Sequence, residues 1–113
     1  LHLCDRRQRQ MCIRDRALTG CGPAFVDLII EALGDAGVKY GVPRKQAYEM
    51  VSQMIIGSAK LQLETGEHPG VLKDNVCSPA GTTIEAVRTL EELGFRSSII
   101  EAMKVCEEMS RSL

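Results

Sequence analysis

Apolar positions recur at helical spacing through most of the chain. Phe25, Leu28, Ile29, Ala32, Leu33 and Ala36 make one stripe, which predicts a helix over residues 23–40. Gly20-Cys21-Gly22-Pro23 reads as the punctuation before it, with Pro23 suited to the first helical position, and Gly41 reads as its end. Gly34 and Gly37 each cost roughly 1 kcal/mol of helix propensity relative to Ala, and glycines so placed let a second helix approach closely. A second helix is predicted over 43–65, stopped by Gly66. Its polar stripe is narrow (Glu49, Gln53, Lys60, Glu64), so it is expected to be buried on more than one side. Residues 65–79 read as a polar connector with a short helical turn from Pro69 to Asn75. A third helix is expected over 82–93, with Thr82 and Glu85 as a capping box and Gly94 as its end. A last helix is expected over 98–111, with Ser98 and Glu101 as a second capping box.

No segment shows strand alternation and no internal repeat is evident, so the fold class expected is all-α. Two helices that are apolar nearly all round have little interior to hide in within a body of about a hundred residues. A helical bundle that buries them against a second copy is the physical expectation.

Composition narrows the partners. Residues 1–16 carry a net charge of +3 and residues 17–113 a net charge of −4. The body has no basic stripe, which argues against a nucleic-acid partner. No apolar run is expected to reach the ~20 residues a membrane span needs, because Asp27 and Glu31 interrupt Phe25 to Leu33. The five cysteines, at 4, 12, 21, 77 and 106, form no C-x-x-C pair and are odd in number. That argues against a zinc site and a disulfide framework, and for reduced thiols in the cytoplasm. The Met50, Met54, Met103 and Met109 set is expected to be core.

The opening segment, residues 1–16, has neither period, and it starts with Leu1. A basic arm and a transit peptide are two readings, the second opposed by Asp5, Asp15 and the lack of Ser. The third is that Arg9-Gln-Met-Cys-Ile-Arg-Asp15 resembles translated sequencing-adapter DNA joined to a gene. On that reading residues 1–16 are a non-native or disordered leader and the folded domain is 17–113.

The chemistry concentrates in Ser78-Pro79-Ala80-Gly81-Thr82-Thr83, a small-residue loop that opens a helix. The first N–H groups of a helix have no intrahelical partners, and the helix dipole favours an anion there. Gly81 permits close approach and the two threonines add hydroxyls. Such a site suits a small carboxylate or phosphate, and an ordinary capped helix would look the same locally.

The whole stretch from Pro69 to Glu91 resembles the signature of pyrroline-5-carboxylate reductases. It matches at Pro69, Leu72, Val76, Cys77, Ser78, Ala80, Gly81, Thr83, Ala86, Val87, Leu90 and Glu91. Thr19-Gly-Cys-Gly-Pro-Ala-Phe25, Glu31 to Arg44 and Glu64 to Asn75 are similar to that family too. Two positions depart: Ala80 stands where many relatives have a second glycine, and Cys21 where many have serine. The resemblance implies the C-terminal, helical half of an enzyme that reduces 1-pyrroline-5-carboxylate to L-proline with NADPH or NADH. It implies a homodimer with interleaved helices, which can assemble further. It implies that Gly81, Thr82 and Thr83 hold the substrate carboxylate, that the Thr83 hydroxyl bonds the ring nitrogen as the catalytic donor, and that Ser78 shapes the turn. Gly20, Cys21, Gly22 and Pro23 would lie near the nicotinamide.

No G-x-G-x-x-G stretch follows a strand in these residues, so the dinucleotide is expected to be held mainly outside them and the chain alone to be inactive. The alternative is a stand-alone helical dimerisation module without catalysis. His68, in a Glu-His-Pro-Gly turn, is a proton carrier by type and a turn residue by context. Lys73 and Asp74 read as a solvated or interface pair, and Cys77 as a packing residue.

Overall fold

The computed structural model describes the backbone of residues 6–112 and the side chains of residues 17–110. It contains five helices and, among the described residues, no strand: α1 (Arg6–Lys39), α2 (Arg44–Thr65), α3 (Pro69–Val76), α4 (Thr82–Glu92) and α5 (Phe95–Ser112). The all-α expectation holds. The chain divides into two compact units, Ile29–Leu93 and the residues on either side of it.

The first helix is longer than its predicted bounds. It begins at Arg6 and carries Pro23 in its interior. Thr19-Gly20-Cys21-Gly22, directly before it, are weak helix formers, yet the helix runs through them from the Arg-, Gln-, Ala- and Leu-containing turns upstream, with one rung of the ladder missing at the proline. The helix ends as a Schellman motif: Val42 N–H donates to the Gly37 carbonyl at 3.0 Å and Gly41 N–H to that of Val38 at 3.0 Å, with Gly41 at φ +98°.

Within the central unit the glycines of α1 set the packing against α2. A Cβ on Gly34 would sit inside the ring of Tyr48, and one on Gly37 would lie 3.3 Å from the Ala47 Cβ. Ala47 is accordingly buried. Arg44, at the start of α2, bonds Asp35 on α1 at 2.6 Å and the Tyr48 hydroxyl at 2.9 Å. Both bonds push the guanidinium pKa upward, the one to Asp35 most. α2 stops at Gly66, whose φ of +67° favours a residue without a side chain.

Neither capping box forms. Gly81, not Thr82, is the N-cap of α4, and no side chain caps it. α5 starts three residues early, with Ser98 N–H bonded to the Gly94 carbonyl at 2.8 Å, so Ser98 is already inside the helix. Gly94, at φ +82°, supplies the break between α4 and α5 that the sequence predicts.

The apolar faces are left uncovered. Among the described residues only Ala17 and Ala47 are buried apolar residues, while Leu28, Met50, Leu63 and Met109 are each more than 60% exposed. The expectation that α2 is buried on several sides, and that Met50, Met54 and Met109 are core, fails within the single chain, because none of its described elements covers them. The membrane expectation also needs correction. Ala17–Lys39 is long and apolar enough to cross a bilayer by length and composition, with a mean hydropathy of 1.4. Asp27, Glu31 and Asp35, spaced four apart, place three carboxylates along one face of it.

Candidate functional site

The candidate site lies in the central unit, where the chain passes from α3 into α4. Cys77, half-buried, ends α3 with its N–H on the carbonyls of Lys73 and Asp74. Ser78 to Gly81 then makes a tight turn, closed by Gly81 N–H on the Ser78 carbonyl at 3.0 Å. Pro79 presets the first corner. Ala80 takes the second at φ +57°, the position that a type II turn reserves for glycine. The turn is tight enough that a Cβ on Gly81 would lie 3.1 Å from the Ser78 oxygen.

Gly81 is extended, at φ −83° and ψ 175°, and α4 starts at the next residue. Thr82 and Thr83 are therefore its first two residues, and their N–H groups have no helical partners. With no side chain capping the end, these amides and the dipole behind them are available to an anion. Thr83 is half-buried and Ser78 and Thr82 are exposed. Ser78, Gly81, Thr82 and Thr83 thus come together. Gly81's own N–H is spent on the turn, so what Gly81 supplies is the extended backbone and the absence of a side chain.

Gly20, Cys21, Gly22 and Pro23 lie in the other unit, inside α1. Their amides, apart from the proline, belong to a helical ladder, so the segment does not fit a backbone cradle for dinucleotide phosphates. It offers open space instead: nothing lies within 4 Å of a Cβ built on Gly20 or Gly22.

His68 caps α3, its Nδ1 accepting from Gly70 N–H at 2.9 Å. That role needs Nδ1 unprotonated and binds it to the backbone. Lys73 and Asp74 form an exposed ion pair at 3.3 Å. Among the described residues no group of three His, Cys, Asp or Glu side chains converges as a metal site. Sequence reasoning missed a groove of about 320 Å³ between α2 and α3, lined by Leu61, Pro69, Leu72 and Val76 among others. Periodicity alone could not reveal it, because it arises from the angle at the Gly66 break.

Residues 15–113 match the family described as Pyrroline-5-carboxylate reductase dimerisation. The chain is 60% identical over 96 residues to pyrroline-5-carboxylate reductase of Escherichia coli, covering 85% of this chain and 36% of that protein. It is 48% identical over 96 residues to the Arabidopsis thaliana reductase, covering 85% of this chain and 35% of the relative. The crystal structure of the Plasmodium falciparum enzyme, with NADP bound, superimposes with a TM-score of 0.87 at 36% identity, covering 93% of this chain and 42% of that one. The chain thus spans about a third of the length of its curated relatives. It belongs to the pyrroline-5-carboxylate reductase dimerisation family.

Proposed function

We propose that this chain is the substrate-binding and dimerisation part of a reductase that converts 1-pyrroline-5-carboxylate to L-proline with NADPH or NADH. The observation that carries the reading is the uncapped start of α4 behind the Ser78–Gly81 turn. It suits a small carboxylate, and the substrate carries one.

The amides of Thr82 and Thr83 hold that carboxylate, and Gly81, having no side chain, lets it come close. The Thr83 hydroxyl stands one helical step on, within reach of the ring nitrogen. A donor there draws electrons from the imine carbon and raises its reactivity. Ser78 fixes the turn through its carbonyl. The nicotinamide supplies the hydride when bound. Its dinucleotide is held mainly by residues outside these 113, with Gly20 to Pro23 near its reactive end. The contribution of this chain is to fix the ring so that the reacting carbon is positioned, an effect that carries much of the acceleration in such a step.

The uncovered faces of α1, α2 and α5 meet a second copy, so the protein works as a homodimer, from which larger assemblies can grow, in the cytoplasm. Nucleic acid and membrane have no part in this reading. The reading rests on residues 17–113. In the reductase that carries this domain, Thr83→Ala is expected to lower kcat about 100-fold while the dimer persists. Unchanged kinetics would remove Thr83 from the chemistry and favour a non-catalytic dimerisation module.

A further inference from the structure

We propose that Ala80 makes the Ser78–Gly81 turn a two-state device, in which only the left-handed corner leaves the start of α4 ready for a carboxylate. The inference rests on the reading of Thr82 and Thr83 as the amides that hold that group, and it concerns what sets their affinity.

Sequence and backbone disagree at this turn. Ser at the first place, Pro at the second and Gly at the fourth are residues that a type I turn favours, and such a turn puts its third residue at a φ of about −90°. Ala80 stands instead at φ +57°. Among the described residues it is the one residue other than glycine with a positive φ. The left-handed corner costs an L-residue free energy that the right-handed alternative does not. Ala80 is exposed, so burial of its methyl does not offset that cost.

The two corners interconvert by turning over one peptide, that between Pro79 and Ala80. Proline suits the second place of either turn type. The bond from Gly81 N–H to the Ser78 carbonyl, at 3.0 Å, belongs to both. The flip therefore breaks no hydrogen bond within the turn, and the strain at Ala80 brings the two states close in free energy. It reverses the peptide dipole that stands just before Gly81, and with it the field at the Thr82 and Thr83 amides. Backbone strain clusters at ligand sites, where it positions other groups, so the strained state is the binding state. A carboxylate draws the population to that state and loses affinity in proportion to the fraction standing in the other. Ala80 is thus a positioning residue that sets affinity without touching the ligand.

The test varies residue 80 in the full chain: Ala80→Gly, Ala80→Val, and D-alanine introduced by ligating a synthetic 77–113 segment at Cys77. Glycine and D-alanine accept the left-handed corner, and valine opposes it. Amide NMR follows L-proline binding at Thr82 and Thr83, and relaxation dispersion reads the flip at the amides of residues 80 and 81. The expected result is exchange in the free wild-type chain that vanishes with D-alanine and on saturation with proline. Affinity should be about three- to tenfold tighter for glycine and D-alanine and weaker by a similar factor for valine. Equal affinities across the series, or weaker binding with D-alanine, with shifts still centred on Thr82 and Thr83, would overturn the device and leave the carboxylate reading intact. Proline shifts centred elsewhere in every variant would overturn both.

Discussion

Gly81 N–H closes on the Ser78 carbonyl at 3.0 Å, and the corner between them at φ +57° is occupied by Ala80. The turn that aims the start of α4 thus carries a side chain in a left-handed conformation, which costs an L-residue roughly 1–2 kcal/mol. Replacing it should be favourable. Ala80→Gly is expected to raise stability by up to about 1 kcal/mol, after the extra chain entropy of glycine is subtracted. Urea unfolding of the two proteins checks it. A lower midpoint for the glycine variant would mean that the corner is not strained.

The contact between Gly34 and Tyr48 leads to a second expectation. Gly34→Ala should destabilise by about 1–3 kcal/mol, although alanine is the better helix former, because the new Cβ displaces the Tyr48 ring. Combining it with Tyr48→Ala should recover part of that loss. A double-mutant cycle reads the coupling, and strict additivity would show that the two residues do not touch.

His68 separates a structural from a chemical role. His68→Ala removes the acceptor for Gly70 N–H and should cost about 1 kcal/mol, whereas His68→Asn should restore most of it. Thermal melting measures both. Carboxylate binding should stay unchanged in the two variants, and a loss of binding in His68→Asn would bring His68 back as a ligand group.

How much of this was legible in the sequence depends on what each feature answers to. The helices at 44–65, 69–76 and 82–92 follow local rules, apolar period and glycine stops, and were read within a residue or so. The start of α1 was not, because Gly20, Gly22 and Pro23 all favour a break there and the helix nevertheless runs through them. The capping boxes failed for a related reason. Thr82 and Ser98 have the right neighbours, but Gly81 and Gly94 sit one and four residues ahead and become the first residues of their helices' entry. Of the candidate site, the grouping of Ser78, Gly81, Thr82 and Thr83 was visible as a motif. The use of the Gly81 N–H inside the turn was not, because the left-handed corner that closes it is occupied by Ala80, where glycine would be the signal.

The uncovered apolar faces carry a prediction of their own. Leu28→Glu and Met54→Glu place a charge on faces that the single chain leaves open, at 64% and 50% exposure. Each should shift the protein from dimer toward monomer by at least about tenfold in dissociation constant, as burial of an unpaired charge at an interface costs more than 1.4 kcal/mol. Sedimentation equilibrium reads the shift, and an unaltered dimer would exclude that face from the interface.

The most direct test of the central claim, that the uncapped start of α4 receives the ligand carboxylate, is a titration of the isotope-labelled chain with L-proline, followed by amide NMR. The account predicts saturable shifts centred on Thr82 and Thr83, reduced in Thr83→Ala. Shifts that centre elsewhere, or none at millimolar proline, would contradict it.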